Sequence, residues 1–92
     1  MWGSQVEIER RRRILVALWA YAYEFQADSL VSDGEFDKEC ALVDPNIGTE
    51  HPILDAWFKT SFDKCTGQWI HDHPELDKIE KLYRKYKQWT QH

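Results

Sequence analysis

With 92 residues, 42% of them apolar, and a net charge of −4, the chain is one domain with a single core and little stability in reserve. No apolar run approaches the roughly 20 residues that span a bilayer. The charge is uneven: residues 28–72 hold ten acids against three lysines, between mildly basic ends, which argues against a general nucleic-acid-binding surface.

The first helix is predicted to start at Ser4, where Ser4 and Glu7 form an S-x-x-E capping box in which each side chain answers a free backbone N–H near the other residue. From Ile14, the residues Leu15, Leu18, Trp19, Ala22 and Phe25 recur at helical spacing, predicting one broad buried face. Glu7 and Glu9 each stand four residues before an arginine, Arg11 and Arg13, an ion-pair spacing. The run Arg10 to Arg13 covers more than one turn, so its first reading is a solvated, salt-bridged half-helix, and its sharper one a phosphate site. The helix is expected to stop between Gln26 and Leu30.

Ser32 and Glu35 make a second S-x-x-E box and open a helix through Phe36, Cys40 and Val43. Asp44-Pro45-Asn46-Ile47-Gly48 reads as a turn. A third helix is predicted from Thr49 or Glu50 to Phe62, burying Ile53, Leu54, Trp57, Phe58 and Phe62. Gly67 marks a break, and Trp69-Ile70 pack beneath the loop that follows. The last helix is predicted from an acid-headed box, Asp72 with Glu75, and Pro74 in its first turn. Its stripe is Leu76, Ile79, Tyr83 and Tyr86, flanked by Leu82 and Trp89. Acids lead and bases follow, matching the helix dipole. The predicted fold class is all-α: a compact bundle of four to five helices in a single domain over residues 1–92, with a helical hairpin over 10–43 and C-terminal helices over 49–91.

Several chemistries are weighed down by spacing. His71 and His73 stand two apart and share no helix face, and Cys40, His51, Cys65 and His71 lack the paired spacing of a structural zinc site. No G-x-S-x-G context organises a hydrolase. Trp57, Phe58, Trp69 and Trp89 are read as core, because a base-stacking platform comes with an interleaved basic groove. Cys40 and Cys65 are expected to be ordinary buried thiols of a cytoplasmic protein, and the start Met1-Trp2-Gly3-Ser4 leads into charge rather than a secretory signal.

One constellation carries more. Tyr21 and Tyr23 lie at opposite rims of the first helix's apolar face, so at least one ring is exposed. Asp33 and Asp37 lie one turn apart on the next helix, where carboxylates can accept hydrogen bonds from ribose hydroxyls or a carboxamide and attract a cationic ring. Glu35 and Glu39 repeat the spacing on another face.

Tyr21-x-Tyr23, followed by Val31-Ser32-Asp33-Gly34-Glu35-Phe36-Asp37, resembles the N-terminal Ia subdomain of bacterial NAD-dependent DNA ligases. That family shows a Y-x-Y-[YH] helix end followed, at the same interval, by [IV]-[SP]-D-x-E-Y-D. The resemblance covers roughly residues 10–43. It implies a small helical unit that folds over the dinucleotide and recognises its nicotinamide mononucleotide half, with roles for Tyr23, Asp33 and Asp37. The chain departs from the pattern at Phe36, where the family has tyrosine, at Glu24, where it has tyrosine or histidine, and at Ser29, where it has proline. An adenylation domain needs a K-x-D-G lysine, and the nearest string, Lys64-Cys65-Thr66-Gly67, lacks the aspartate. Without that nucleophile no adenylate transfers, so the expectation is a non-enzymatic protein.

Two functions follow. The first is a binding protein without a cofactor, resembling bacteriophage or mobile-element accessory proteins. It modulates a host protein (a nucleic-acid enzyme or a defence complex) through acids Asp33, Glu35, Asp37 and Glu39, whose field would steer a basic partner. The second is a nicotinamide mononucleotide or NAD binder, with Tyr23 and Phe36 flanking the ring, Asp33 and Asp37 on the polar groups, and a partner chain closing the site. A structural or assembly protein is the blander alternative.

Overall fold

The computed structural model describes residues 4–64 and 66–90. Four helices appear, α1 (Gln5–Gln26), α2 (Asp33–Leu42), α3 (Pro52–Thr60) and α4 (Leu76–Thr90), with a 3₁₀ turn at Gln68–Asp72. Among the described residues there is no strand, and no helix is long and apolar enough to cross a membrane. The fold is the all-α bundle expected. The reading of Cys65, and of the first three residues, lies outside the described residues.

The serine half of each predicted box forms, while among the described residues neither Glu7 nor Glu35 returns a side-chain bond to the serine N–H. Ser4 Oγ accepts the Glu7 N–H at 3.3 Å and Ser32 Oγ accepts the Glu35 N–H at 3.2 Å, each answering one of the free donors of a helix start. α1 ends as Ala27 turns left-handed (φ 49°) and the Asp28 N–H reaches back to the Ala22 carbonyl at 2.9 Å, a Schellman-like stop.

The helix starts of the second half differ from expectation for one shared reason. A residue before proline is pushed out of the α region. His51, before Pro52, sits at φ −128°, ψ 89° and caps α3 by accepting the Leu54 N–H on Nδ1; the helix therefore starts at Pro52, not Thr49. His73, before Pro74, sits at φ −61°, ψ 130°, so an N-cap at Asp72 is sterically barred. Instead Asp72 ends the 3₁₀ turn, His73 Nδ1 accepts the Glu75 N–H at 3.0 Å, and α4 starts at Leu76.

α1 runs through the core, packed by α2, α4 and the 3₁₀ turn. Val16, Ala17, Ala20 and Tyr21 meet Cys40 and Val43, Phe58, Trp69, Ile70 and Ile79. The buried face of α1 is rotated from the predicted one: Leu18 and Ala22 are buried, but Ile14, Leu15 and Phe25 are exposed. The segment Ile14 to Ala22 is apolar all round, so periodicity alone leaves the phase open. What fixes it is that Glu9 and Arg13 extend the inward stripe by two turns, at 1% and 5% exposure. The solvated half-helix reading is thus wrong for these two.

Two further expectations are corrected. Ile53 is 64% exposed, because the inward stripe of α3 runs through Leu54, Trp57 and Phe58, one position off it. Trp89 is 84% exposed, near the end of α4; Trp57, Phe58 and Trp69 do share an aromatic cluster, with ring centroids 5.0 to 6.4 Å apart.

Candidate functional site

The end of α1 and the start of α2 are joined by a short turn, so the last rings of one helix face the first acids of the next. Between them lies a cleft of about 290 Å³, close to the lower end of small-molecule pockets, about 300 Å³. Trp19, Tyr23 and Phe36 supply its rings, and Glu24, Asp33 and Asp37 its carboxylates. Ser29, Leu30 and Val31 of the turn form one wall, and Thr66 and Gly67 close the far side. All four residues expected to hold a nicotinamide ligand, Tyr23, Asp33, Phe36 and Asp37, line this one cleft.

The two tyrosines divide as helical phase demands. Tyr21 is buried, stacked on Phe25 at 5.0 Å, with its hydroxyl accepting the Gln26 side-chain N–H at 3.2 Å. Tyr23 is 59% exposed and belongs to the cleft. Phe36 is half-buried, and a Cβ built on Gly67 would stand 3.5 Å from its Cζ and 3.6 Å from Ala20 Cβ. Gly67 therefore keeps open a space that side chains beyond alanine would fill.

The cleft is anionic. Among the described residues, three carboxylates line it with no lysine or arginine, a combination of rings and acids that favours a cationic planar group. Glu24 is oriented from outside, its Oε1 3.0 Å from His71 Nε2, while the His71 ring packs 4.6 Å from Phe25. Asp33, Glu35 and Asp37 are exposed, and none makes an ion pair among the described residues. Glu39 differs: Arg12 Nε donates to its Oε2 at 2.8 Å, so it belongs to the α1–α2 contact rather than to a free acidic face.

The arginine run is largely committed to structure. Arg10 Nη2 donates to the Thr49 carbonyl at 2.6 Å, and Arg12 to Glu39 and the Leu42 carbonyl. Arg13 reaches Glu9 and Asp55 at 2.8 Å each and the carbonyls of Asp44 and Ile47. Arg12 and Arg13 thus have carboxylates where a phosphate would sit. Cys40 is fully buried, and burial first, then the charges of Asp37 and Glu39, pushes its thiol up to about 12, which makes it inert. Among the described residues no three metal-ligating side chains gather into a site.

Trp19, the turn Ser29–Val31 and the Thr66–Gly67 wall escape sequence reading. Trp19 looks like core because it sits in an apolar run. The far wall arrives through contacts of Gly67 with Phe36 and Ala20, both distant in sequence, for which Gly67, read as a helix break, is the one local sign. Compared with family models, with curated protein sequences and with solved structures, the chain matches none.

Proposed function

We propose that the chain is a non-catalytic binding module whose α1–α2 cleft holds the ring and sugar of a nicotinamide nucleoside or nucleotide. The supporting observation is that Tyr23, Asp33 and Asp37, the residues to which the ligase-like motif would give a role, line one cleft together with Phe36. A pyridinium ring would lie against Tyr23 and Phe36, gaining cation–π attraction, while Asp33 and Asp37 accept from ribose hydroxyls or the carboxamide. The cleft is open on one side, so a partner chain that closes it would tighten binding. Glu24 stands where a phosphate would approach, so the uncharged sugar end of a riboside should be tolerated at least as well as a mononucleotide.

Calorimetric titration with nicotinamide riboside, nicotinamide mononucleotide and NAD tests this. Saturable binding is expected, with the riboside no weaker than the mononucleotide, and Asp37→Ala should weaken both about tenfold, a loss of one charge-assisted hydrogen bond. Absence of heat from all three at millimolar concentration would remove the proposal.

A second reading draws on the unpaired carboxylates of Asp33, Glu35 and Asp37. They would present an acidic face to a basic host protein, such as a nucleic-acid enzyme or a defence complex, and Glu39 drops out of that face. Affinity purification from a bacterial lysate at physiological salt should then recover a specific protein, and lose it when the three acids are changed to their amides. Recovery of the same proteins by both forms would reject the acidic surface.

A further inference from the structure

A second cleft, of about 360 Å³, lies on the other end of the bundle, between the first half of α1, α3 and the start of α4. We propose that it is a binding site for a small hydrophobic monocarboxylate, an aliphatic or aryl acid.

The floor is apolar, formed by Ile14, Leu54, Phe58, Ile79 and Leu82, which suits a hydrocarbon chain or ring and gives no polar handle. Each charged group facing the cleft has a counter-charge except one. Arg13 is matched by Glu9 and Asp55, and Lys78 by Glu75 at 2.7 Å, with His51 Nε2 3.5 Å from the same carboxylate. Arg10 bonds only the neutral Thr49 carbonyl through Nη2 and makes no ion pair among the described residues. It therefore keeps a full positive charge and unused N–H donors at the rim of an apolar space.

An independent feature points the same way. His73 lines the cleft at 8% exposure. Its Nδ1 accepts the Glu75 N–H at 3.0 Å, which fixes the neutral ring's proton on Nε2. Burial lowers its pKa, against the nearby Glu75 charge, and so keeps the ring neutral. Nε2 has no hydrogen-bond partner among the described residues. His73 Nε2 keeps some access to solvent, so its N–H can be given to a ligand oxygen that enters the cleft. One uncompensated cation, one unused donor and an apolar floor together describe a single carboxylate on a hydrocarbon body; a phosphate dianion would meet Glu75 with one cation too few.

Octanoate below its micelle concentration, 1-octanol as the uncharged analogue and octylammonium as the opposite charge test the site, read from the His73 ring resonances. Octanoate is expected to saturate a shift of the His73 resonances at least tenfold more tightly than octanol, and octylammonium to leave them unmoved. Arg10→Gln should erase the preference for octanoate over octanol. Ile14→Glu, at an exposed position that leaves the core intact, should abolish octanoate binding. Equal affinities for octanoate and octanol, retention of the preference in Arg10→Gln, or no saturable octanoate shift would each overturn the proposal. Nicotinamide riboside binding at the α1–α2 cleft should be unchanged in Arg10→Gln, so the two sites succeed or fail separately.

Discussion

At the scale of single residues, the least replaceable side chain is Arg13. It is buried, lies with its guanidinium carbon 4.8 Å from the Phe58 ring centre, and joins α1 to the 44–47 turn and to α3 through three acceptors, with Glu9 of α1 itself as the fourth. Glu9 in turn accepts the Asp44 N–H at 3.1 Å. Burial pushes the Asp55 carboxyl up, but the Thr49 hydroxyl and amide and the Arg13 guanidinium outweigh it and hold its pKa below the usual value. Removing one member of such a set leaves a buried charge alone, at about 3–5 kcal/mol. A domain of this size has on the order of 5–14 kcal/mol in all. Arg13→Ala should therefore lose about 3–5 kcal/mol in urea unfolding, and Arg13→Lys should recover only part, since a point charge does not reach four acceptors in a fork. A loss under about 1 kcal/mol, the scale of a surface ion pair, would show that the network is dispensable.

At the scale of elements, the join between the 3₁₀ turn and α4 predicts a pH dependence. His73 is held neutral by burial, with its pKa below the ordinary 6.5 despite Glu75. The unfolded chain takes up a proton near that ordinary value and the folded one does not, so stability is present in full above about pH 6.5 and falls as pH drops toward the folded pKa. His73→Asn keeps an acceptor near the Glu75 N–H but does not titrate. The urea midpoint of the native protein should fall between pH 7.5 and 5 by more than that of the variant, whose other histidines are unchanged; parallel curves would refute the assignment. The same join shows where sequence reading stops. Ser4 and Ser32 were legible because a cap is settled within three residues. Pro74 was legible as a first-turn residue and Pro52 was passed over; in both cases the effect of the proline on the preceding residue decides which cap forms. The phase of α1 was not legible, because Glu9 and Arg13 look solvated until Asp55 and the 44–47 turn arrive from far along the chain. The cleft divides likewise: Tyr23, Asp33, Phe36 and Asp37 come from one local hairpin, whereas Thr66 and Gly67 come from tertiary packing.

At the scale of the molecule, α4 is tied to the α1–α2 turn at Asp28. Tyr83 donates its hydroxyl to Asp28 Oδ2 at 2.8 Å and Lys87 its ammonium at 3.0 Å. These bonds, Lys87 first, hold the Asp28 carboxyl below its usual pKa, while burial and Asp28 push the Tyr83 hydroxyl up to about 12. Asp28 follows left-handed Ala27 and precedes Ser29–Val31, one wall of the α1–α2 cleft. No residue of α4 lines that cleft, yet α4 bonds the turn that forms the wall. Tyr83→Phe removes one hydrogen bond and keeps the ring, whose centroid lies 5.5 Å from that of Tyr21. Stability should fall by about 1 kcal/mol, the net value of one hydrogen bond. Amide exchange in residues 27–32 should accelerate more than in the core of α1, because the turn opens locally before the helix does. Nicotinamide riboside affinity should drop several-fold with no change in any residue that lines the cleft. If exchange in 27–32 stays as in the native protein while α4 alone loosens, the clamp serves the end of α4 and the cleft wall is held by α1 and α2 themselves.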